Sequence, residues 1–145
     1  MATPTAHTDA QGQNDIDRNV RQYTDLDLFF SKKATSKDIS KVTDIQAVKR
    51  SIRNLVLTNF YEKPFHPEIG SGITGILFEL VSPTTAVVLQ SEIRQVVTNF
   101  EPRVRLIDIR VLGDIDKNGY YVTIKFQPIN TPNPVTIELF LERLR

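Results

Sequence analysis

Cysteine and tryptophan are absent from the 145 residues, and histidine occurs only twice. Without cysteine the chain has no disulfide framework and no thiolate metal ligand. His7 stands in a polar stretch and His66 between two prolines. That is too little for a His-rich zinc site, and neither has a cysteine or a G-x-S-x-G serine to activate. No window approaches the run of about 18 apolar residues that a membrane span needs. Charge of one sign is also lacking: 18 basic against 17 acidic residues leave a net +1. Non-specific nucleic-acid binding rests on a larger basic excess. Lys41, Lys49, Arg50 and Arg53 lie close in sequence and read as a solvated helix face. The start, "MATPTAHTDAQGQND", is neither basic nor apolar and is not expected to act as a secretory signal. These absences predict a protein with no metal, no cofactor, no membrane and no nucleic-acid partner, made and assembled in the cytoplasm.

What remains suits one domain carrying a polar arm. Hydrophobic residues make up 40%, slightly low for a compact globule of this length. Residues 1–24 hold only Ile16, Val20 and Tyr23 as larger apolar anchors, too few to offset the entropy of ordering the segment. They are expected to form a flexible arm, with a short helix around "DIDRNVRQY", and residues 25–145 a single domain. "LDLFF", residues 26–30, is short and aromatic and reads as a strand; "SKKATSKDISK" reads as a polar loop.

Helical periodicity begins at "VTDIQ", where Thr43 or Asp44 can cap and Gln46 completes a capping-box spacing from Thr43. Ile45, Val48, Ile52, Leu55 and Val56 recur at three- and four-residue steps and predict one buried face, leaving Lys49, Arg50 and Arg53 wet. The pattern ends near Asn59, before Pro64 and Pro67. A short helix is predicted over residues 73–81. Ser82 then caps another, with Pro83 in its first position and Ala86, Leu89, Ile93, Val96, Val97 and Phe100 on one face. Pro102 stops it at Glu101.

Three strands follow. In "RLIDIRV", Ile107, Ile109 and Val111 are expected on one side, Asp108 and Arg110 on the other. Asn118-Gly119 signals a hairpin. Tyr120, Val122, Ile124 and Phe126 alternate with polar residues, as do Val135, Ile137, Leu139 and Leu141. The predicted class is α+β, with N-terminal helices packed on one face of a C-terminal antiparallel sheet. If the last strand lies at an edge, its outer N–H and C=O groups are open, and Pro132, Pro134, Glu138 and Glu142 look like guards against unwanted pairing.

Chemical motifs are scarce. "GSGITG", residues 70–75, matches G-x-G-x-x-G, but the two prolines before it exclude the buried strand that a dinucleotide site requires. The glycines read as a tight turn into a short helix. Glu62, Glu68, Glu79 and Glu101 offer carboxylates of the kind glycosidases pair; any two could meet in space, and the sequence gives neither a distance nor a cleft. No catalytic residue is assigned. Glu101-Pro102-Arg103 allows two readings: a helix stop with a surface ion pair worth about 0–1 kcal/mol, or a rigid corner projecting a guanidinium for bidentate recognition.

In combination, "AVKRSIRNLVLTN" (47–59), "KPFHPEIGSGITGILFE" (63–79), "SPTTA" (82–86) and "NFEPRV" (99–104) resemble the baseplate wedge, or sheath-initiator, proteins of contractile phage tails. The resemblance spans residues 26–141. It implies a non-enzymatic structural protein of the virion tail, present in sixfold arrangement around the tail tube. The partners it implies are other baseplate wedge proteins and the tail sheath subunit, with tube and hub proteins nearby. Related subunits of type VI secretion systems and extracellular injection particles share these motifs, and the family has also been called lysozyme-like, which makes a small peptidoglycan hydrolase the alternative. By the resemblance, Glu101, Pro102 and Arg103 contact the wedge's helical core bundle. The terminal sheet is implied to template the first sheath ring. Strand addition would then use Val135, Thr136, Ile137, Glu138, Leu139, Phe140 and Leu141.

Overall fold

A computed structural model describes residues 23–28, 31, 32, 37–129 and 131–144. The element order is β1 (Thr24–Leu26), β2 (Lys41–Thr43), α1 (Asp44–Leu57), α2 (Ile73–Ile76), α3 (Pro83–Phe100), β3 (Val104–Asp114), β4 (Gly119–Pro128) and β5 (Val135–Glu142). The class is mixed helix and antiparallel sheet. One sheet is a three-stranded meander in the order β3-β4-β5; the other is the small ladder β1-β2. That ladder corrects the simple order of helices first and strands last. It also corrects the local reading: the strand is residues 24–26, and Lys41 pairs with Leu26. Of the expected "LDLFF" strand, Asp27 and Leu28 lie beyond β1, and Phe29 and Phe30 fall outside the described residues. So do residues 1–22 of the expected arm and its short helix, whereas Thr24 pairs with Thr43.

Helix α1 starts at Thr43, but no side-chain cap forms there. A different orphan amide is tied down by the main chain: the Asp44 N–H, which a capping box does not engage, donates to the Tyr23 carbonyl at 2.6 Å. Pairing of β1 with β2 puts that carbonyl in reach. Ala47, Val48, Ile52 and Val56 are fully buried, while Ile45 and Leu55 are only half-buried. The buried stripe is therefore rotated toward Ala47. Arg50 is not wet as expected: it pairs with Asp27, which is 5% exposed.

The predicted helix over 73–81 is shorter, a single turn, Ile73–Ile76, continued by turns. Of the three glycines before and within it, Gly70 has a steric reason. A Cβ there would lie 2.6 Å from the main chain of Asn59 and Phe60, where Asn59 and Ser71 form a parallel bridge. At α3 the sequence reading holds: the Thr85 N–H donates to Ser82 Oγ at 3.1 Å, with Pro83 next to the cap. Buried Tyr120 accepts from the Ser82 N–H and donates to the Leu80 carbonyl, tying β4 to this helix start.

In the meander, Tyr120, Val122, Ile124 and Phe126 are each at most 1% exposed and share one cluster with Val48, Ile52, Leu89, Ile93 and Val97. Each large side chain so buried contributes about 1.5–3 kcal/mol. Ile137, Leu139 and Leu141 complete the cluster as their alternation predicts. Strand β3 departs from its expected phase. The register slips between Leu106 and Asp108, so Ile107 is the extra residue of a β-bulge. It is 47% exposed, and Leu106 packs on the core in its place. Asn118 takes a left-handed φ of 51° in the hairpin, as Asn does readily.

Gly70→Ala should destabilise by about 1–3 kcal/mol, since the main chain it would strike cannot give way cheaply. Gly75→Ala meets nothing within 4 Å and should be neutral or stabilising by up to about 1 kcal/mol. Denaturant midpoints of the two variants check the contrast.

Candidate functional site

Glu101 closes α3, and Arg103 opens the path into β3. The structure joins them two-pronged: Arg103 Nε donates to Glu101 Oε1 at 2.6 Å and Nη2 to Oε2 at 2.7 Å. This is not the surface pair expected. The Glu101 side chain is 2% exposed and that of Arg103 29%. Ser51 of α1 adds a hydrogen bond to the carboxylate. Tyr23 lays its ring over the guanidinium, 5.3 Å from Cζ to the centroid. A cation over an aromatic face gains further attraction as water is excluded. Burial pushes the Glu101 carboxyl up, but hydrogen bonds from Arg103 and Ser51, with the Arg103 charge, outweigh it and hold the pKa below the ordinary value. Arg103 in turn is raised, chiefly by its hydrogen bonds to Glu101.

Of the two readings left open by the sequence, the surface pair is replaced by a largely buried one, and the two-pronged edge of the guanidinium is used within the chain. Pro102 is exposed at the apex of the corner. The Nε and Nη2 edge of the guanidinium is committed to Glu101, which leaves Nη1 and one Nη2 hydrogen for another acceptor. The corner is also fixed from beyond, because the Ile129 N–H donates to the Arg103 carbonyl at 3.0 Å.

The second feature is the sheet edge. Among the described residues β5 pairs only with β4 and ends the order β3-β4-β5. The Arg143 N–H donates to the Asn118 carbonyl, continuing the β4–β5 register past Gly119 and Glu142. Antiparallel ladders alternate hydrogen-bonded and non-hydrogen-bonded pairs. Val135, Ile137, Leu139 and Leu141 therefore turn their main-chain groups to β4. Thr136, Glu138, Phe140 and Glu142 turn theirs outward. Leu144 follows the same parity, and its N–H is taken by the Leu77 carbonyl at 3.0 Å. The open stretch runs from Thr136 to Glu142. The opposite edge differs: α3 lies along β3, and Gln90 Nε2 donates to the Ile109 carbonyl at 2.7 Å.

Sequence reasoning missed an exposed aromatic loop between α1 and α2. Tyr61 and Phe65 are 86% and 97% exposed, both with left-handed φ, 69° and 67°. The Tyr61 N–H donates to the Pro67 carbonyl, and Glu62 accepts from the main and side chain of Asn59. Backbone strain was invisible in the letters; only the density of aromatics and prolines over 60–67 could have hinted at it.

Among the described residues no clearly shifted carboxyl is raised as a general acid requires. Glu62 is lowered by its hydrogen bonds from Asn59, and Glu68 by its own backbone amide and by His66. With Glu101 also lowered, each clearly shifted carboxyl among the described residues moves away from what a general acid needs. Described residues hold no cluster of three His, Asp or Glu that could bind a metal.

Arg103→Ala leaves a buried carboxylate without its main partner. It should cost about 3 kcal/mol, the low end for halving a buried pair because Arg103 is partly wet. That corresponds to roughly 10 °C in Tm for a chain of this size. Arg103→Lys, which keeps charge but loses the two-pronged bond, should fall between. Because the folded pKa of Glu101 is depressed, its contribution is present above the ordinary carboxylate range and is lost as pH falls through the folded value. Glu101→Gln should flatten that acid limb in denaturant titrations; an unchanged limb would remove Glu101 from this role.

Comparison with known proteins agrees with this architecture. The family described as "Baseplate wedge protein gp25" matches residues 42–133. A baseplate wedge protein gp25 of Enterobacteria phage T4 is 30% identical over 113 residues, covering 78% of this chain and 85% of the relative. A putative tail lysozyme from Geobacter sulfurreducens superposes with a TM-score of 0.63 at 19% identity, over 68% of this chain and 89% of that one. A chain of the anti-feeding prophage baseplate, in a 6-fold symmetrised structure, gives 0.59 at 15% identity, over 86% and 88%. These two share the fold alone. The family match spans most of the chain, and on it and the phage relative the protein belongs to the baseplate wedge protein gp25 family.

Proposed function

We propose that the protein is a non-enzymatic wedge component of a contractile tail baseplate which docks on neighbouring wedge subunits and starts the sheath. The observation that carries the second half is the edge of β5, where Thr136, Glu138, Phe140 and Glu142 direct main-chain groups outward, by parity with the Arg143–Asn118 bond, that are unpaired among the described residues. An open edge is a template for one more strand, and main-chain bonds supply affinity while alternate side chains select the partner. The occupant in this reading is a terminal arm of the tail sheath subunit. Pro132 and Pro134 flank the edge and Glu138 and Glu142 charge it, which disfavours pairing with unrelated strands.

The corner supports the docking half. Arg103 is held rigid by Glu101 and Tyr23 while still offering donors on its remaining edge. A guanidinium fixed beforehand loses little freedom on meeting a carboxylate or carbonyl of a helix in the wedge core. Sixfold placement around the tube, with tube and hub proteins adjacent, belongs to the same reading. A peptidoglycan hydrolase would need a carboxyl raised as general acid; Glu101, the most buried carboxyl at this corner, is lowered.

Glu138→Pro tests the edge. It removes an N–H that points away from β4, so the fold should lose no more than about 1 kcal/mol. Ile137→Pro, whose N–H serves the β4 ladder, should unfold the sheet instead. Tails assembled with Glu138→Pro should show tube on baseplates without sheath by electron microscopy. Normally sheathed tails would refute sheath initiation at this edge.

A further inference from the structure

A groove of about 400 Å³ runs between α1 and the open edge of β5. One wall carries Lys49, Arg53 and Asn54; the other is Thr136 to Leu139. Arg50 also lines it, but its guanidinium is held by Asp27. Lys49 and Arg53 make no ion pair among the described residues. The sequence reading took these cations for a solvated face. The structure sets them beside a row of main-chain donors and acceptors that are unpaired among the described residues.

A strand laid against β5 would point its side chains alternately, as its neighbour does. Those opposite Ile137 and Leu139 fall on the helix side of the sheet, under Lys49 and Arg53. Those opposite Thr136, Glu138 and Phe140 fall on the outer side. A residue directly across from Glu138 meets a carboxylate, and like charges directly opposite are destabilising. The open edge also has fixed ends: prolines stand before Val135, and beyond Glu142 the Leu144 N–H is already bonded to Leu77.

We propose that the segment added to β5 is an extended protein strand with carboxylates at the alternate positions facing α1 and none opposite Glu138. This rests on the strand-addition reading above and specifies the chemistry of the occupant. Charge complementarity at Lys49 and Arg53 sets the register, since a slip of one residue turns every carboxylate to the Glu138 side. The main-chain bonds hold the strand; the cations choose which strand is held.

The test uses the full chain, isotope-labelled, with three synthetic peptides alternating Thr with Glu, Gln or Lys. Amide exchange at Thr136, Glu138, Phe140 and Glu142 should be fast in the free protein and slowed by the Glu/Thr peptide. The Glu/Thr peptide should bind at least about tenfold tighter than the Lys/Thr peptide at low salt. The doubly substituted Lys49→Glu, Arg53→Glu protein, whose changes sit on the exposed side of α1, should reverse that order. Glu138→Pro should abolish binding of all three. Equal binding of Glu/Thr and Gln/Thr peptides, lost in Glu138→Pro, would overturn the charge assignment and leave strand addition standing. Glu/Thr binding that survives Glu138→Pro, or no binding by any peptide, would overturn both. Slow exchange of the four amides in the free protein would also overturn the proposal, since it would place this chain's own segment or a second copy on the edge.

Discussion

A carboxylate with 2% of its side chain exposed must be answered by charge and hydrogen bonds, and at Glu101 that requirement organises the domain. An ion removed from water costs several kcal/mol unless a partner of good geometry meets it. The partner lies two residues away, across a proline that ends α3 and turns the chain into β3. Ser51 brings in α1, and Tyr23 brings in the chain before β1. Four segments therefore converge on one ion pair. Pro102 is the exposed apex that makes the two-residue spacing workable, because its ring holds the turn while the flanking side chains fold back together.

That convergence explains both what sequence reasoning reached and where it failed. α3, β4 and β5 were legible because each buries one regular stripe, and periodicity encodes a single buried face directly. The Ser82–Pro83 start was legible for the same local reason. Features set by distant residues were not. The capping box at Thr43 is correct in spelling, yet no side-chain cap forms; the helix start is held through the Asp44 N–H and the Tyr23 carbonyl, which pairing of β1 with β2 brings together. The bulge at Ile107 cannot be seen in "RLIDIRV", where Ile107, Ile109 and Val111 alternate without a break and nothing marks Leu106 as the residue that faces the core. Glu101-Pro102-Arg103 was recognisable as unusual, but its burial was not, since a carboxylate at a helix end is most often solvated. Lys49 and Arg53 looked like an ordinary wet face until β5 was found beside them.

The two edges of the meander show how one sheet is made both safe and available. β3 is covered by α3, with Gln90 engaging its main chain. Among the described residues β5 has no such cover from Thr136 to Glu142, and its protection is chemical: prolines before it, carboxylates along its outer face, cations on the helix above. Such devices raise the cost of wrong pairing without lowering the affinity of a strand that matches them. The hydrophobic row Ile137, Leu139 and Leu141 meanwhile fixes β5 to the core. The open edge stays rigid enough to act as a template.

Rigidity at the corner and openness at the edge are linked through the same core. Val104 and Leu106 follow Arg103 into β3 and pack against the cluster that also holds β4 and β5. A partner that contacts the remaining Arg103 donors grips a residue whose other edge is bonded to Glu101, and so grips the frame on which β5 is mounted. On the proposed function, no conformational change is needed for docking at one place to orient strand addition at the other; the domain only has to be stiff. On the proposed docking the physical demand on Arg103 is double: two donors for a buried carboxylate, and the remaining ones for a neighbour. Lysine, with a single nitrogen, cannot meet both from one planar group. This is why a guanidinium, and not merely a positive charge, belongs at this corner.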